Sequence, residues 1–253
     1  MVQLVYFSAT AMCIFGIITA VSYRSGRQLS DTVRRYGVAT TVSAAGMFLA
    51  YVGMTTIQFF FEQTGLPLLI MELSRFIGYT LMWVGIVYVA AAISGAERQL
   101  SVALLVTVTG QLWMTFLAWK TTFVPQQIVL ISPLLLLGGG YLLYGPVTVA
   151  ASKQSERRLA VLNKLKHIML LGWFGQVATV VVHPSTLGLT TVFTDWVTIM
   201  YVELLMVGAF VGVVYRNTVV FDEIRGAVSA EETDPDGTSR MNDRSGSKVR
   251  TQG

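Results

Sequence analysis

The sequence predicts an all-α membrane protein, a bundle of seven transmembrane helices. Of its 253 residues, 53% are hydrophobic and only 13% are charged, whereas about 25% of the residues of a soluble domain are charged. Seven apolar runs approach or exceed the length of about 20 residues that a helix needs to cross a bilayer. Basic residues are concentrated in alternate connections between these runs. Together these features indicate a multi-pass protein of the cell membrane.

The apolar runs define a bundle that we place at residues 1–217. The predicted spans cover residues 2–22, 37–60, 67–93, 101–119, 126–149, 165–183 and 192–215. The first run has neither a basic leader nor a small-residue cleavage site, so we expect it to be retained as a helix. Residues 218–253 are rich in Asp, Glu, Ser, Gly and Arg, and we expect them to form a disordered cytoplasmic tail.

The basic residues also predict the orientation of the bundle. Up to Arg216 the chain has 13 Lys and Arg residues, and 11 of them lie in connections on one side. The exceptions are Arg75 and Lys120. Since cytoplasmic loops carry the excess of Lys and Arg, the amino terminus is expected outside and the carboxyl terminus in the cytoplasm.

Several classes of function find no support in the sequence. The net charge of +4 is spread between apolar spans and does not indicate a nucleic-acid partner. His167 and His183 stand at opposite ends of the sixth span, about 24 Å apart at 1.5 Å per residue, so they cannot share a metal ion. The chain has no phosphate-binding loop and no nucleophile elbow. We therefore predict neither an enzyme nor a metal site.

Charged residues inside the spans are the candidate functional residues. Glu203 lies in the middle of the seventh span, where a charge is costly and needs a partner. Arg75 lies inside the third span, and Glu72 precedes it by three residues on the same helical face. Arg75 either snorkels near the outer interface, paired locally with Glu72, or crosses the bundle to Glu203 or Asp195.

The protonation state of Glu203 is open at this stage. The carboxylate is either ionised beside Arg75 or protonated because it is removed from water. In the second case we expect it to form a hydrogen bond with Tyr51 or Tyr79. The predicted buried polar network is therefore Glu72, Arg75, Asp195, Glu203 and Tyr51.

A set of residues in these spans resembles the microbial (bacteriorhodopsin-type) rhodopsins, in particular the archaeal opsins. The matching residues are Thr40, Thr41 and Tyr51 in the second span, Arg75, Phe76 and Tyr79 in the third, Trp173 in the sixth, Glu203 in the seventh, and Tyr215, Arg216 and Phe221 at its exit. The resemblance covers roughly residues 1–224. It implies the seven-helix opsin fold and a retinal pocket, with Tyr79, Met82, Trp83, Trp173, Gln176 and Met206 as candidate pocket residues.

The sequence departs from this family at the lysine that carries retinal. The family holds retinal as a Schiff base on a seventh-helix lysine, one turn after the carboxylate. Here that position is Val207, or Met206 if the alignment slips by one. The lysines of the chain are Lys120, Lys153, Lys164, Lys166 and Lys248, and none lies in the apolar middle of a span. Because a Schiff base needs a primary amine, we expect no cofactor, and in particular no covalent retinal.

The groups that move protons in the family's pumps are also replaced. Gly78 stands where the pumps have their proton acceptor, and Val89 stands where they have their proton donor. Gln176 replaces a tyrosine of the sixth helix. A pump needs protonatable groups in series across the membrane, and the cytoplasmic half of this bundle offers none.

These observations favour an opsin-like membrane protein that acts as a non-photochemical sensor, adaptor or assembly partner. We expect its vestigial pocket to be partly closed by Met82, Trp83, Phe174, Gln176, Met206 and Phe210. One alternative is an ion transporter or channel with an outward-facing site formed by Glu203, Arg75 and Glu72. Another is a light sensor that holds retinal or another polyene non-covalently against Trp173. The expected partners are the lipid bilayer and either a second copy of the chain or a membrane transducer.

Overall fold

The computed structural model of the chain describes residues 2–31, 33–60, 67–120, 131–183 and 187–224, and the regular structure in these ranges is helical. The helices are α1 (Val2–Arg27), α2 (Arg34–Phe60), α3 (Pro67–Ser94), α4 (Arg98–Lys120), α5 (Ile131–Tyr144), α6 (Pro146–Ser152), α7 (Glu156–Val182) and α8 (Val192–Arg216). Since α5 and α6 lie end to end in one span, these helices form the seven-helix bundle that the sequence predicts. Below, the outer end of the bundle is the end where α1 begins, and the inner end is the opposite one.

Six of the spans are long and apolar enough to cross a membrane, and α7 is not among them. The apolar run predicted at 165–183 covers only the second part of α7, which begins at Glu156. The helix starts earlier because Ser155 caps it: the Ser155 hydroxyl accepts a hydrogen bond from the Arg158 amide at 3.2 Å. The polar first turns of α7 are therefore helical although they are not apolar.

The fifth span is broken between α5 and α6. Pro146 has no amide hydrogen to donate, so the hydrogen-bond ladder is interrupted there. Thr148 makes up for part of this interruption, because its hydroxyl donates a hydrogen bond to the Leu143 carbonyl at 2.7 Å. Lys166 of α7 donates in turn to the Thr148 hydroxyl at 3.0 Å. Residues 126–130 of the predicted span lie outside the described residues.

Helices α2 and α3 cross with their backbones in close contact. A Cβ atom placed on Gly78 would lie 2.5 Å from the Ala50 Cβ and 2.8 Å from the Gly46 carbonyl oxygen. Farther inward, the Ser43 hydroxyl donates to the Met82 carbonyl at 2.9 Å. Gly78 therefore lies at a close contact between the backbones of α2 and α3.

The first residues of the predicted disordered tail, residues 218–253, form a helix. Residues 218–224 are helical, and Val220, Phe221 and Ile224 are buried in the bundle. Phe221 stacks on Tyr36 of α2 with a ring-centroid distance of 4.6 Å. These apolar side chains hold the segment against the inner end, so the start of the tail at 218 is wrong. Residues 225–253 lie outside the described residues.

Candidate functional site

Glu203 is the centre of a buried polar cluster in the outer half of the bundle. It is completely buried on α8. The Tyr51 hydroxyl of α2 donates to one carboxylate oxygen at 2.5 Å, and the Tyr79 hydroxyl of α3 donates to the other. The Arg75 Nε atom lies 3.4 Å from that second oxygen. Both sets of contacts considered from the sequence, the ion pair and the tyrosine hydrogen bonds, are thus present together.

Arg75 reaches into the bundle instead of snorkelling to its surface. It is only 3% exposed, and its Nη1 atom lies 3.8 Å from the Glu72 carboxylate in addition to the contact with Glu203. The guanidinium also lies over the Trp196 ring, 4.4 Å from its centroid. A buried arginine is tolerated when such partners surround it. Arg75 therefore combines the local pairing with Glu72 and the pairing across the bundle.

Trp196 is a member of the cluster that sequence reasoning missed. It stands seven residues before Glu203, which places both on the same face of α8 because seven residues make about two helical turns. That spacing was a usable signal. Asp195, predicted as an alternative partner for Arg75, lies with its Oδ2 atom 3.9 Å from His183 Nε2. The pairing of Asp195 with His183 was not predicted.

The neighbours of Glu203 bear on its charge. Two tyrosine hydroxyl groups donate to its carboxylate, and the Arg75 Nε atom lies 3.4 Å away without a hydrogen bond to it. A tyrosine hydroxyl both donates and accepts, so the hydrogen bonds by themselves fit an ionised and a protonated acid. It is the permanent charge of Arg75 at this distance that favours an ionised Glu203. Among the described residues no group of His, Cys, Asp and Glu is arranged to hold a metal ion.

The candidate pocket residues pack against one another in the middle of the bundle. Met82, Trp83 and Met206 are each at most 1% exposed, and so is Phe210. Trp83 of α3 and Trp173 of α7 are stacked with a centroid distance of 5.7 Å and an interplanar angle of 28°. Met206 occupies the space beside Gly172, where an added Cβ would lie 2.2 Å from the Met206 sulfur.

One of the residues expected to close this pocket lies outside it. Phe174 is 70% exposed, so its ring lies on the outer surface of α7 and not in the pocket. This prediction was wrong because Phe174 follows the buried Trp173 directly, and successive residues of a helix lie about 100° apart. Gln176 is partly buried, and its Nε2 atom has no hydrogen-bond partner.

Comparisons with known proteins place this architecture among known folds. No protein-family model and no curated protein matches the sequence. Among solved structures, the thermophilic rhodopsin from Rubrobacter xylanophilus has 14% sequence identity and a TM-score of 0.77, over 88% of this chain and 99% of that one. A light-driven proton pump from Leptosphaeria maculans has 12% identity and a TM-score of 0.74, over 87% and 96%.

A third solved structure has the same path of helices as this chain. The cyanorhodopsin from the cyanobacterium Tolypothrix sp. NIES-4075 has 10% identity and a TM-score of 0.75, over 90% of this chain and 99% of that one. At such low identities the likeness concerns the path of the helices. The chain is a multi-pass membrane protein with the seven-helix fold of the microbial rhodopsins.

Proposed function

We propose that this chain is an opsin-like membrane protein that carries no covalent retinal and works as a non-photochemical sensor, adaptor or assembly partner. The observation that carries the proposal is Val207, which is completely buried one turn after Glu203. By the family resemblance this is the position of the retinal-binding lysine. Valine has no amine with which to form a Schiff base.

The packing around Val207 supports the same proposal. A polyene held between two aromatic rings needs a ring separation of about 7 Å, twice a van der Waals contact of roughly 3.5 Å. The centroids of Trp83 and Trp173 are 5.7 Å apart, so these rings contact each other and leave no slot. Met206 fills the adjoining space beside Gly172. This packing leaves no room for a polyene between Trp83 and Trp173, which supports the proposal.

The groups along the bundle axis argue against proton pumping. Gly78 has no side chain to accept a proton, and it packs on the backbone of α2. Val89 is fully buried and apolar. If Glu203 received a proton, these two positions would offer no protonatable side chain to take it on toward the inner end. A proton relay needs protonatable groups in series.

Titration of the purified protein with all-trans retinal tests the proposal. We expect no red-shifted visible absorption band, whereas the retinal-free form of the Leptosphaeria maculans pump, as a positive control, gains one. A visible band that borohydride bleaches, leaving a retinyl group covalently bound to a lysine as a secondary amine, would overturn the proposal. A band without an adduct would instead support the non-covalent light sensor.

An ion transporter or channel is the second candidate, and the buried cluster of Glu203, Arg75 and Glu72 is the observation that favours it. Charged groups inside a membrane mark ion pathways in many proteins. Liposomes containing the protein should then show ion flux that Glu203→Gln abolishes. Our first proposal expects no flux above that of protein-free liposomes, so one measurement separates the two.

A further inference from the structure

The inner ends of α1, α2 and α8 meet in one place. A Cβ atom placed on Gly37 of α2 would lie 2.9 Å from the Gly26 Cα atom of α1. The Tyr215 hydroxyl of α8 donates to the Ser22 carbonyl of α1 at 2.6 Å. The last turn of α1, the first turn of α2 and the last turn of α8 therefore form one edge of the bundle, in which α2 and α8 both contact α1.

This edge carries a group of exposed arginines and no lysine. Its members, which we call the arginine patch, are Arg24, Arg27, Arg34, Arg35 and Arg216. Arg34 pairs with Asp31 at 3.9 Å, but both side chains are exposed, so the pair contributes little. Asp222 is the other described acid near the patch, because the preceding Phe221 stacks on Tyr36 of α2. Five arginines against two carboxylates leave an excess of three positive charges among the described residues of this edge.

The arginine patch lies at the depth of lipid headgroups. The 26 residues of α1 span about 39 Å at 1.5 Å per residue, which exceeds the hydrocarbon core of about 30 Å. The basic last turn of α1 therefore extends beyond the core. Tyr23 in that turn is 56% exposed, and the Arg27 guanidinium lies 5.9 Å from the centre of its ring. Exposed tyrosines are typical of the interface between a membrane and water.

The patch also continues faces that are exposed and apolar farther inside the membrane. Ile17 and Val21 are exposed on α1, and they share one face with Arg24 because the three residues are spaced by four and three. On α8 the exposed Leu205 precedes Arg216 by eleven residues, or about three turns, and lies on the same face. Exposed apolar side chains of a spanning helix face the hydrocarbon chains of the bilayer. Arg24 and Arg216 thus lie where the headgroups follow those chains.

We infer that the arginine patch binds the phosphate group of an anionic phospholipid in the leaflet at the inner end. A guanidinium group donates two parallel hydrogen bonds to phosphate oxygens, a geometry that an ammonium group does not offer. Basic residues clustered beside a membrane span attract anionic lipids, and here three helices bring such residues to one edge. The inference does not depend on the proposed function, because the patch lies at the inner end and Glu203 lies in the outer half.

Native mass spectrometry of the full chain in a non-ionic detergent tests the site, because it counts the lipids bound during titration with phosphatidylglycerol or phosphatidylcholine. We expect the parent to bind phosphatidylglycerol more tightly. Arg24→Gln combined with Arg27→Gln should weaken that binding about tenfold, through the loss of charge-assisted contacts to phosphate. The matched control is Lys153→Gln combined with Lys164→Gln, which removes the same charge from exposed residues on the side of α6 and α7 and should leave the affinity unchanged.

The opposite results are equally clear. Equal weakening in both double variants would mean that net charge alone attracts the lipid, and the inference would be wrong. A parent without preference for phosphatidylglycerol, or one from which an equal concentration of inorganic phosphate displaces it, would also overturn the inference. So would phosphatidylglycerol binding that requires Glu231→Gln and Glu232→Gln, since an acidic segment of the chain would then occupy the patch. If the Arg24 and Arg27 double variant lacks the helical circular dichroism of the parent, Arg35→Gln combined with Arg216→Gln removes two charges from α2 and α8 instead.

Discussion

At the scale of single residues, the protonation state of Glu203 decides how much free energy is lost when a member of the cluster is removed. Its carboxylate accepts hydrogen bonds from Tyr51 and Tyr79 and faces Arg75 at 3.4 Å. Removing one member of a buried ion pair leaves the other charge without compensation, which costs about 3–5 kcal/mol. Removing a neutral hydrogen bond costs only about 1 kcal/mol.

Glu203→Gln should therefore lower the free energy of unfolding in detergent by about 3–5 kcal/mol, because it removes the charge opposite Arg75. Tyr79→Phe is the comparison, and we expect it to cost about 1 kcal/mol through the loss of one donor. Denaturant unfolding followed by circular dichroism measures both. If Glu203→Gln costs no more than Tyr79→Phe, Glu203 is a protonated acid.

Much of this cluster is readable from the sequence. Glu203 and Arg75 stand out because charges inside apolar spans are rare, and Glu72 follows from the spacing of three residues. Trp196 was missed although its spacing of seven residues from Glu203 places both on one face of α8, because that spacing does not show which way the face is rotated in the bundle. The rotation depends on which faces of seven helices meet, and the helical period alone does not determine that.

At the scale of helices, Arg158 joins α7 to the inner end of α3. Its Nε and Nη2 atoms donate to the carbonyls of Ile93 and Ala92 at 2.8 and 2.9 Å. These carbonyls belong to the last turn of α3, where the helix itself supplies no donor. The sequence placed Arg158 only among the basic residues of a loop, because the run of apolar residues begins later in α7.

We expect Arg158→Ala to lower the free energy of unfolding by about 3 kcal/mol, since it removes hydrogen bonds from a charged group to buried carbonyls. Arg157→Ala is the matched control. The Arg157 side chain is 61% exposed and pairs with Glu223 at the surface, so its loss should cost less than about 1 kcal/mol. Thermal unfolding of both variants in the same detergent compares them, and equal losses would contradict the role given to Arg158.

The crossing of α2 and α3 yields a second prediction for helix packing. Gly78→Ala should lower the free energy of unfolding by about 1–3 kcal/mol, because its Cβ would overlap α2. Gly208→Ala is the control, since a Cβ there meets no atom within 4 Å, and replacing a helical glycine with alanine gains about 0.5–1 kcal/mol. Denaturant midpoints of the two variants should move in opposite directions, and equal shifts would show that the crossing is looser than described.

At the scale of the whole molecule, hydropathy and charge predicted the seven-helix bundle correctly. They could not locate the break at Pro146, the early start of α7 or the helix at 218–224. Those features depend on contacts across the fold: Thr148 with Lys166, Arg158 with α3, and Phe221 with Tyr36. A search for apolar runs stops short of the start of α7 and of the helix at 218–224, and it passes through Pro146 because the residues on both sides of it are apolar.

The orientation of the bundle is a prediction that cysteine labelling checks. Two cysteine variants are made in a Cys13→Ala background. Leu187, which is 60% exposed, lies at the outer end, and the exposed Ser152 lies at the inner end of α6. A membrane-impermeant maleimide applied to intact cells should label Leu187→Cys and spare Ser152→Cys until the cells are permeabilised. The reverse pattern would invert the proposed orientation.

Introducing a lysine at position 207 should not by itself produce a pigment. We expect Val207→Lys with all-trans retinal to give no visible band, because Trp83, Trp173 and Met206 still fill the pocket. Combining it with Trp83→Ala and Met206→Ala opens that space, and absorption spectra of the single and triple variants compare the two. A band from Val207→Lys alone would show that the missing amine was the only obstacle.

The close crossing at Gly46 and Gly78 has a consequence for how this sequence can change over generations. An aspartate introduced at position 78 would collide with α2 before it could serve as a proton acceptor. One substitution therefore cannot place a carboxylate at this position, since α2 must first move away. The shape of the neighbouring backbone thus limits which side chains evolution can introduce here.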